Sequence, residues 1–396
     1  MDYQKKELPK KISTIGFALT IVGGLLIILS FIFHTERALY NYLIMFMFIA
    51  SIGLGSLAFV AIEYMAGAIW STPFRRIAEF LSAPIPLLLL LVIPIILGAN
   101  TLYHWTNSNI AVNDPVLQGK SPYLNLNFFI IRIAIYIFIW ILFYYLINRN
   151  SKLQDTNNDV KYTKNNIKLS VAFAPVFIIT LTFAAIDLMM SLEPHWYSTI
   201  YGVYYFAGTL VAGIASFGLV TVFTLEGKFF DSRINNKHLH SVGILLFAFN
   251  IFWAYIAFSQ YLLIWYANLP EENYWFLNRM NGSWVYLSLG MVFIHFIIPF
   301  LVLIPSYAKT NLRTLKVMSI WLLAAHYLDL YWLVMPTYDK SGIVFGWVEL
   351  GFPVAAVGII MLLFKLKSRN NNLMPVGDPK LEGGINLTLY PDLSID

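Results

Sequence analysis

Ten apolar runs, each long enough to cross a lipid bilayer as a helix, recur along the whole 396-residue chain. A helix needs about 20 apolar residues to span the hydrocarbon core, because each residue adds about 1.5 Å to its length. Only 12% of the residues are charged, about half the usual share of a soluble domain. The sequence therefore predicts an all-α integral membrane protein with ten transmembrane helices. The predicted spans cover residues 13–33, 39–62, 82–104, 127–147, 169–191, 199–224, 241–266, 283–305, 314–335 and 343–366.

The basic residues are distributed unevenly between the two sets of loops. Of the 26 Lys and Arg residues, 21 lie in the termini and in the loops on the same side, Arg75 and Arg76 among them. By the positive-inside rule this side is cytoplasmic, so both termini are predicted to be cytoplasmic. The net charge of +5 follows from this topology and gives no reason to expect nucleic-acid binding. The other side has Arg37, Lys120, Arg279 and Lys340, and Arg132 lies inside a span.

The loops are short, so residues 1–366 are predicted to form a single membrane domain and residues 367–396 an extramembrane tail. This tail contains Asn, Gly and Pro without a helical period, which predicts a disordered or partner-ordered extension. The loops on the outer side are aromatic and suit either an interfacial belt or a docking surface.

A faint internal repeat relates the two halves of the chain. Asp187 and Asp329 are each followed by Leu and, seven residues after the Asp, by Pro. Glu63 and Glu226 each stand eight residues after a Gly in spans 2 and 6. A parallel duplication of spans 2–5 and 6–9 explains both coincidences, and chance similarity between hydrophobic sequences is the alternative. The halves would cover residues 39–191 and 199–335.

Ionisable side chains inside the spans are the candidate functional residues, because a charge at the bilayer centre costs about 2.5–3.5 kcal/mol and must face the bundle interior. His326 and Asp329, three residues apart, share a helical face and are suited to hold and transfer a proton. We interpret five residues as a proton relay: Asp187, His326, Asp329, Arg132 and Glu63. Three more at the outer rim are candidates for proton or ligand contacts: His104, Glu193 and His195.

A structural role is the alternative for the same residues. Arg132 would then neutralise Asp187 or Asp329, and His326 would hydrogen-bond a backbone carbonyl. Glu63 is equally able to extend its carboxylate to the inner interface.

Two further buried residues, His295 and Glu349, fit a structural role better than a functional one. The chain has no cysteine, which excludes thiolate-bound iron–sulfur clusters, zinc–thiolate sites and covalently attached haem c. No metal site is assigned. A haem b would need two facing histidines, and only His104 and His326 are placed to meet, with no other support.

One segment resembles a known family. Residues Asp187–Gly208 contain Glu193-Pro194-His195-Trp196 and are similar to ActF-like membrane subunits of bacterial alternative complex III, within the NrfD/PsrC-like family. The resemblance covers nearly all ten spans. Further matches are Ser71–Arg76, Phe249–Asn250, Ser259–Tyr266, Asn278–Arg279 and Gly282–Trp284.

The resemblance implies a subunit of a respiratory quinol:cytochrome c oxidoreductase in the bacterial cytoplasmic (inner) membrane. It implies two four-helix bundles, spans 2–5 and 6–9, flanked by spans 1 and 10. Asp187, His326 and Asp329 match positions where the family has buried acids and histidines in the outer half. The rim residues then become candidate quinol contacts.

The resemblance also implies partners that carry the redox cofactors. These are an NrfD-like sister subunit with the usual quinol site, an iron–sulfur subunit and a multihaem cytochrome c. We expect no covalently bound cofactor in this chain and no catalysis by it alone. Its expected contribution is proton conduction, or scaffolding on the quinol side.

Two other functions stay open. A secondary transporter would suit ten spans with a repeat and buried charges, although Pro84, Pro86 and Pro94 crowd span 3 without a matching break in span 7, its counterpart. A catalytically silent scaffold would bind outer subunits through the aromatic loops, and it differs from the leading hypothesis only in whether the buried charges matter.

Overall fold

The computed structural model describes residues 8–107, 113–369 and 371–386. These residues form helices without strands, and ten of the helices are long and apolar enough to cross a membrane. The prediction of an all-α membrane protein with ten spans is confirmed. Spans 1 to 10 are Lys10–Phe33, Thr35–Ala66, Thr72–Leu97, Leu126–Asn157, Lys161–Leu192, Tyr201–Glu226, Asn236–Ala267, Trp284–Leu303, Leu312–Tyr338 and Trp347–Arg369.

Spans 2 and 6 form the centre of the molecule. They approach closely because Gly55 faces Gly213, and a Cβ atom added to Gly55 would lie only 2.1 Å from the carbonyl oxygen of Thr209. Small residues allow such backbone contact between membrane helices, where van der Waals packing replaces the hydrophobic effect. The Tyr205 hydroxyl crosses the same interface and donates to the Met47 carbonyl at 2.9 Å.

Two four-helix bundles meet at this central pair. In the first bundle span 2 packs on spans 3 and 5, and span 4 packs on spans 3 and 5. In the second bundle span 6 packs on spans 7 and 9, and span 8 packs on spans 7 and 9. Spans 1 and 10 pack on each other and on span 2. Span 8 thus has in the second bundle the place that span 4 has in the first.

We name the two ends of the helix bundle after the side chains that are common there. The basic end is where span 1 begins and span 10 ends, and the aromatic end is the opposite one. At the aromatic end Trp196 stacks on Trp275 of the helix Pro270–Arg279, with ring centroids 4.5 Å apart. Arg279 lies between spans 7 and 8, as predicted, and is fully buried, with its guanidinium carbon 3.4 Å from the Trp275 ring centroid.

Span 3 begins ten residues earlier than predicted. Arg75 and Arg76, assigned to a loop from their charge, lie buried in its first turns. They are stable there because Asp378 pairs with Arg75, and Asp155 accepts two hydrogen bonds of 2.9 Å from Arg76. Beyond Leu81 the span continues in short helical pieces, because its three prolines lack N–H donors and clash with the preceding turns.

The tail departs from the disorder that its composition predicts. Residues 371–386 lie on the basic end and include the short helix Leu381–Ile385, whose first and last side chains are buried. Lys380 donates to the carbonyl of Gly67 at 2.8 Å, and Glu382 pairs with Arg233 at 2.6 Å. Contacts within this chain therefore contribute to ordering this part of the tail. Residues 387–396 lie outside the described residues.

Candidate functional site

Three ionisable side chains meet inside the second bundle. His326 and Asp329 are one helical turn apart on span 9, and His295 reaches them from span 8. One nitrogen or carboxylate oxygen of each lies within 4.8 Å of those of the other two. All three are buried, with 0% to 2% of their surface exposed. We call these three residues the His–His–Asp cluster.

The Asp329 carboxylate is held by two neutral donors. The Tyr204 hydroxyl of span 6 donates to Oδ1 at 2.5 Å, and the Trp253 indole N–H of span 7 donates to Oδ2 at 3.2 Å. Both hydrogen bonds orient the carboxylate without neutralising it, because neither donor carries a charge. An acid of this kind inside a membrane retains the capacity to exchange a proton.

His295 is positioned by a local irregularity of span 8. Residues Val292–Ile297 form a π-helical turn, a feature that is frequent at functional sites. Its sequence origin is Pro299, which lacks the N–H that would bond the His295 carbonyl four residues earlier. The Trp321 indole N–H donates to the neighbouring Ile294 carbonyl at 2.7 Å. The His295 ring stacks on Trp253, with centroids 3.5 Å apart.

The imidazole nitrogens of the cluster have no hydrogen-bond partner among the described residues. This holds for Nδ1 and Nε2 of both His295 and His326. The structural alternative for His326, a hydrogen bond to a backbone carbonyl, is therefore not observed. Gly208 of span 6 leaves room for the His326 ring, since a Cβ there would lie 2.8 Å from Cε1.

A buried hydroxyl group lies between the cluster and the basic end. Spans 6 and 9 run antiparallel, and the Ser319 hydroxyl of span 9 lies beside Gly218 of span 6. It has no hydrogen-bond partner among the described residues, and neither does the hydroxyl of Ser216, which is buried in span 6. The interface ends in an ion pair of 2.6 Å between Glu226 and Lys316. From Asp329 to Lys316 is thirteen residues of helix, or about 20 Å.

Arg132 and Asp187 form a separate group in the first bundle. The guanidinium donates from Nε and Nη2 to the two carboxylate oxygens, each at 2.9 Å. The Tyr136 hydroxyl donates to the same carboxylate at 3.0 Å, and Nη1 of Arg132 donates to the Tyr123 carbonyl at 2.8 Å. The predicted structural alternative, in which Arg132 neutralises Asp187, matches this geometry.

Glu63 stands apart from both groups, near the basic end of span 2. Its side chain is buried, and neither carboxylate oxygen has a hydrogen-bond partner among the described residues. It interacts electrostatically with Arg75, Glu79 and Asp378. The structural alternative predicted that the Glu63 carboxylate extends to the inner membrane interface. It does not, because the tail and span 3 cover this position. The proposed five-residue relay is thus divided among three places.

Two of the three rim residues, Glu193 and His195, have side-chain partners at the aromatic end. His104 is exposed. Glu193 accepts from Thr337 at 3.2 Å and pairs with Arg279 at 3.5 Å. His195 contacts the Asp114 carboxylate at 2.6 Å in an exposed pair.

Sequence reasoning did not predict a functional role for three residues of the site. Tyr204 and Trp253 were not among the candidates, and His295 was given a structural role. One signal in the sequence could have pointed to His295. Span 8 corresponds to span 4 in the internal repeat, and Arg132 of span 4 faces Asp187 just as His295 faces Asp329. Glu349, also given a structural role, lies in a different place and accepts two hydrogen bonds from Arg37, of 2.7 and 2.5 Å.

The fold and the site together define a multi-pass, all-α membrane protein with a buried cluster of ionisable groups. Scans of protein-family models and of curated proteins give no match to this chain.

Proposed function

We propose that this chain is an integral membrane subunit of a bacterial respiratory quinol:electron-acceptor oxidoreductase, and that it contributes proton conduction through the His–His–Asp cluster. The resemblance of the Glu193–Trp196 segment and its neighbours to ActF-like subunits of alternative complex III supports the class of complex. The buried cluster supports the role within it.

One observation carries the proton role: among the described residues, the buried Asp329 has no Lys or Arg partner and lies beside two imidazoles whose nitrogens have no hydrogen-bond partner. A carboxylate that serves only structure is normally neutralised in a membrane by a basic side chain. Imidazole is the side chain best suited to accept and release a proton near neutral pH. The cluster therefore has groups that can exchange a proton with one another.

The proposal assigns electron transfer to partner subunits. Quinol oxidation releases two electrons and two protons, and a chain without cysteine cannot hold an iron–sulfur cluster through thiolates. The proposed partners are an NrfD-like sister subunit, an iron–sulfur subunit and a multihaem cytochrome c. In the proposed orientation both termini are cytoplasmic, and the cluster lies nearer the outer face of the inner membrane.

The buried, unpartnered hydroxyls of Ser319 and Ser216 support a path toward the cytoplasm. Ser319 lies at the interface of spans 6 and 9, and the Glu226–Lys316 pair stands at the end of that interface. Glu63 is the candidate for a second inner position, in the first bundle. Water between these groups would complete a hydrogen-bonded path.

The decisive experiment compares Asp329→Asn with Asp187→Asn in the purified complex reconstituted into liposomes. Asn preserves the shape of the side chain but cannot exchange a proton, and its amide oxygen can accept only one of the two hydrogen bonds that Asp329 receives. We expect Asp329→Asn to lower proton-coupled quinol oxidation by about 100-fold or more, the usual contribution of a positioned acid or base. Asp187→Asn should act mainly on assembly and stability, because it removes the partner of Arg132.

Unchanged rate and unchanged proton stoichiometry in an assembled Asp329→Asn complex would leave the scaffold reading as the better one. The class of complex is tested separately by gentle detergent purification. Haem c absorption and an iron–sulfur subunit in the purified material are the expected results. Solute uptake by the chain alone in liposomes would favour a transporter instead.

A further inference from the structure

We propose that His295, His326 and Asp329 form a binding site for one zinc-class divalent transition-metal ion. Two imidazoles and one carboxylate are a donor set that such ions bind with three protein ligands, leaving a further position open. Magnesium and calcium prefer six to eight oxygen donors, so the cluster selects against them.

The donor atoms are free to bind. Neither nitrogen of His295 or of His326 has a hydrogen-bond partner among the described residues. Each imidazole can therefore offer a lone pair without breaking an existing hydrogen bond. Asp329 accepts one hydrogen bond at each oxygen and keeps a second acceptor position on each.

The spacing of the three residues suits a single ion. One donor atom from each lies within 4.8 Å of the others. Donors of a tetrahedral zinc site, at about 2.0–2.2 Å from the ion, are about 3.4 Å from one another. The longest edge therefore has to contract by about 1.4 Å or less when an ion binds.

The surrounding residues hold the donors in orientation. Tyr204 and Trp253 donate to the two carboxylate oxygens of Asp329, and the Trp253 ring stacks on the His295 ring. Outer contacts of this kind fix ligand geometry at metal sites, and their removal commonly weakens affinity by about 10–100-fold. Trp253 acts on two of the three ligands at once.

The same lone pairs bind either a proton or the metal ion. A bound ion would therefore stop proton exchange through the cluster. This consequence rests on the proposed function, whereas metal binding itself does not.

The test uses the full chain in detergent with its co-purifying partners. The protein is stripped with a chelator, incubated with Zn²⁺ and desalted, and the retained zinc is measured by mass spectrometry. We expect about one more zinc per chain in the unmodified protein than in His326→Ala or Asp329→Asn. Asp187→Asn and His104→Ala are matched controls, one in the other bundle and one exposed, and both should retain that zinc.

Two further measurements guard against a variant that fails to fold, one on the unmodified protein and one on a variant that keeps the aromatic ring. Co²⁺ bound to the unmodified protein should give visible ligand-field bands of a four- or five-coordinate site, and Zn²⁺ should displace them. Tyr204→Phe, which keeps the ring, should weaken zinc binding by about 10–100-fold. Equal zinc in the unmodified protein and a monodisperse Asp329→Asn variant would overturn the proposal, and so would absent cobalt bands.

Quinol turnover with added Zn²⁺ separates this proposal from the proposed function. Zinc that binds at the cluster without slowing turnover would refute the proton role and leave the metal site standing. Loss of turnover in Asp329→Asn together with absent zinc binding would refute the metal site and leave the proton role standing.

Discussion

Asp187 and Asp329 have corresponding places in the two bundles and opposite surroundings. Each lies near the end of the fourth helix of its bundle, and each faces the helix before it. Asp187 receives two charged hydrogen bonds from Arg132 of span 4. Asp329 receives two neutral hydrogen bonds and faces the imidazole of His295 on span 8.

The difference lies in the side chain that faces the acid. Arginine stays charged at any physiological pH and forms a bidentate, rigid pair with a carboxylate. Histidine changes its charge near neutral pH and binds metals as the neutral ring. One framework therefore holds a fixed ion pair in the first bundle and an exchangeable group in the second.

The largest expected effect comes from breaking the fixed pair. Arg132→Met leaves Asp187 buried without its cation, and removal of one partner from a buried ion pair typically destabilises by about 3–5 kcal/mol. We expect a loss of this size in the free energy of unfolding, measured in bicelles or detergent. His295→Gln is the matched change in the second bundle and should lower stability by under about 1.5 kcal/mol.

A rescue variant separates the lost pair from lost packing. Arg132→Met combined with Asp187→Leu removes both charges and should recover most of the stability, because no uncompensated charge remains. Equal stability of Arg132→Met and the unmodified chain would show that the Asp187 pair is not structural, and the contrast between the bundles would fail.

Glu63 and Glu226 extend the comparison to the basic end. Glu63 is covered by Arg75 and the tail residue Asp378, whereas Glu226 pairs with Lys316 at a partly exposed site. Asp378→Asn should destabilise by about 1.5–3 kcal/mol, the contribution of a hydrogen bond to a charged group. Lys316→Ala should lower stability by about 1 kcal/mol or less.

Thermal unfolding in detergent measures both variants, and limited proteolysis reports whether the tail is released in Asp378→Asn. If the tail stays protected and the two variants are equally stable, the tail contributes no more than a surface ion pair. The difference between the two glutamate sites would then rest on burial alone.

Gly208 offers a smaller change inside the second bundle. A methyl group there would lie 2.8 Å from Cε1 of His326, so Gly208→Ala should displace the ring and destabilise by about 1–3 kcal/mol through overpacking. It should also impair whatever the cluster does, whether proton-coupled turnover or zinc retention. Gly290→Ala in span 8 is the control, because its nearest neighbour is 3.8 Å away.

A Gly208→Ala variant with unchanged stability and unchanged cluster chemistry would mean that the position of His326 is not fixed by span 6. Solvent or neighbouring rings would then determine it. The measurement is thermal unfolding together with zinc retention on the same sample.

Hydropathy alone predicted the ten spans, because the bilayer requires the same length of apolar helix from each of them. It misplaced the start of span 3 for a reason outside any local window. Arg75 and Arg76 are acceptable inside the fold because Asp378 and Asp155 neutralise them. These partners are distant in sequence, so the local charge pattern alone predicts that the arginines lie in a loop. The order of residues 371–386 has the same long-range origin.

The candidate site was predicted in part, because helical periodicity relates only residues of the same helix. His326 and Asp329 were joined because they share one helix face. The assignment of His295, Tyr204 and Trp253 needed the packing of spans 6, 7 and 8 against span 9. Sequence spacing gives no register between separate helices, which is why the same reasoning grouped Asp187 with residues of the other bundle.

The smallest expected effect is a pH dependence at the aromatic end, where the Asp114 carboxylate of the first half contacts His195. Burial alone would raise the pKa of Asp114, but hydrogen bonds from His195 and from the backbone N–H groups of Leu117 and Val116 outweigh it and lower that pKa. A lowered folded-state pKa stabilises above the ordinary value of about 3.9 and is lost as the pH falls through the folded-state value.

Asp114 caps the helix Pro115–Lys120, so protonation should loosen this helix and its contact with His195. Hydrogen exchange of the 114–120 segment, corrected for intrinsic rates, should keep its protection from about pH 6 to about pH 4 and lose it below. Asp114→Asn should abolish this step, because the amide does not titrate in the range.

The comparison segment is 339–341 in the second half, where Asp339 is held by neutral Ser341. A step of equal size there would mean that the contact with His195 adds nothing to the cap, because a carboxylate bound without an imidazole partner would titrate with the same effect.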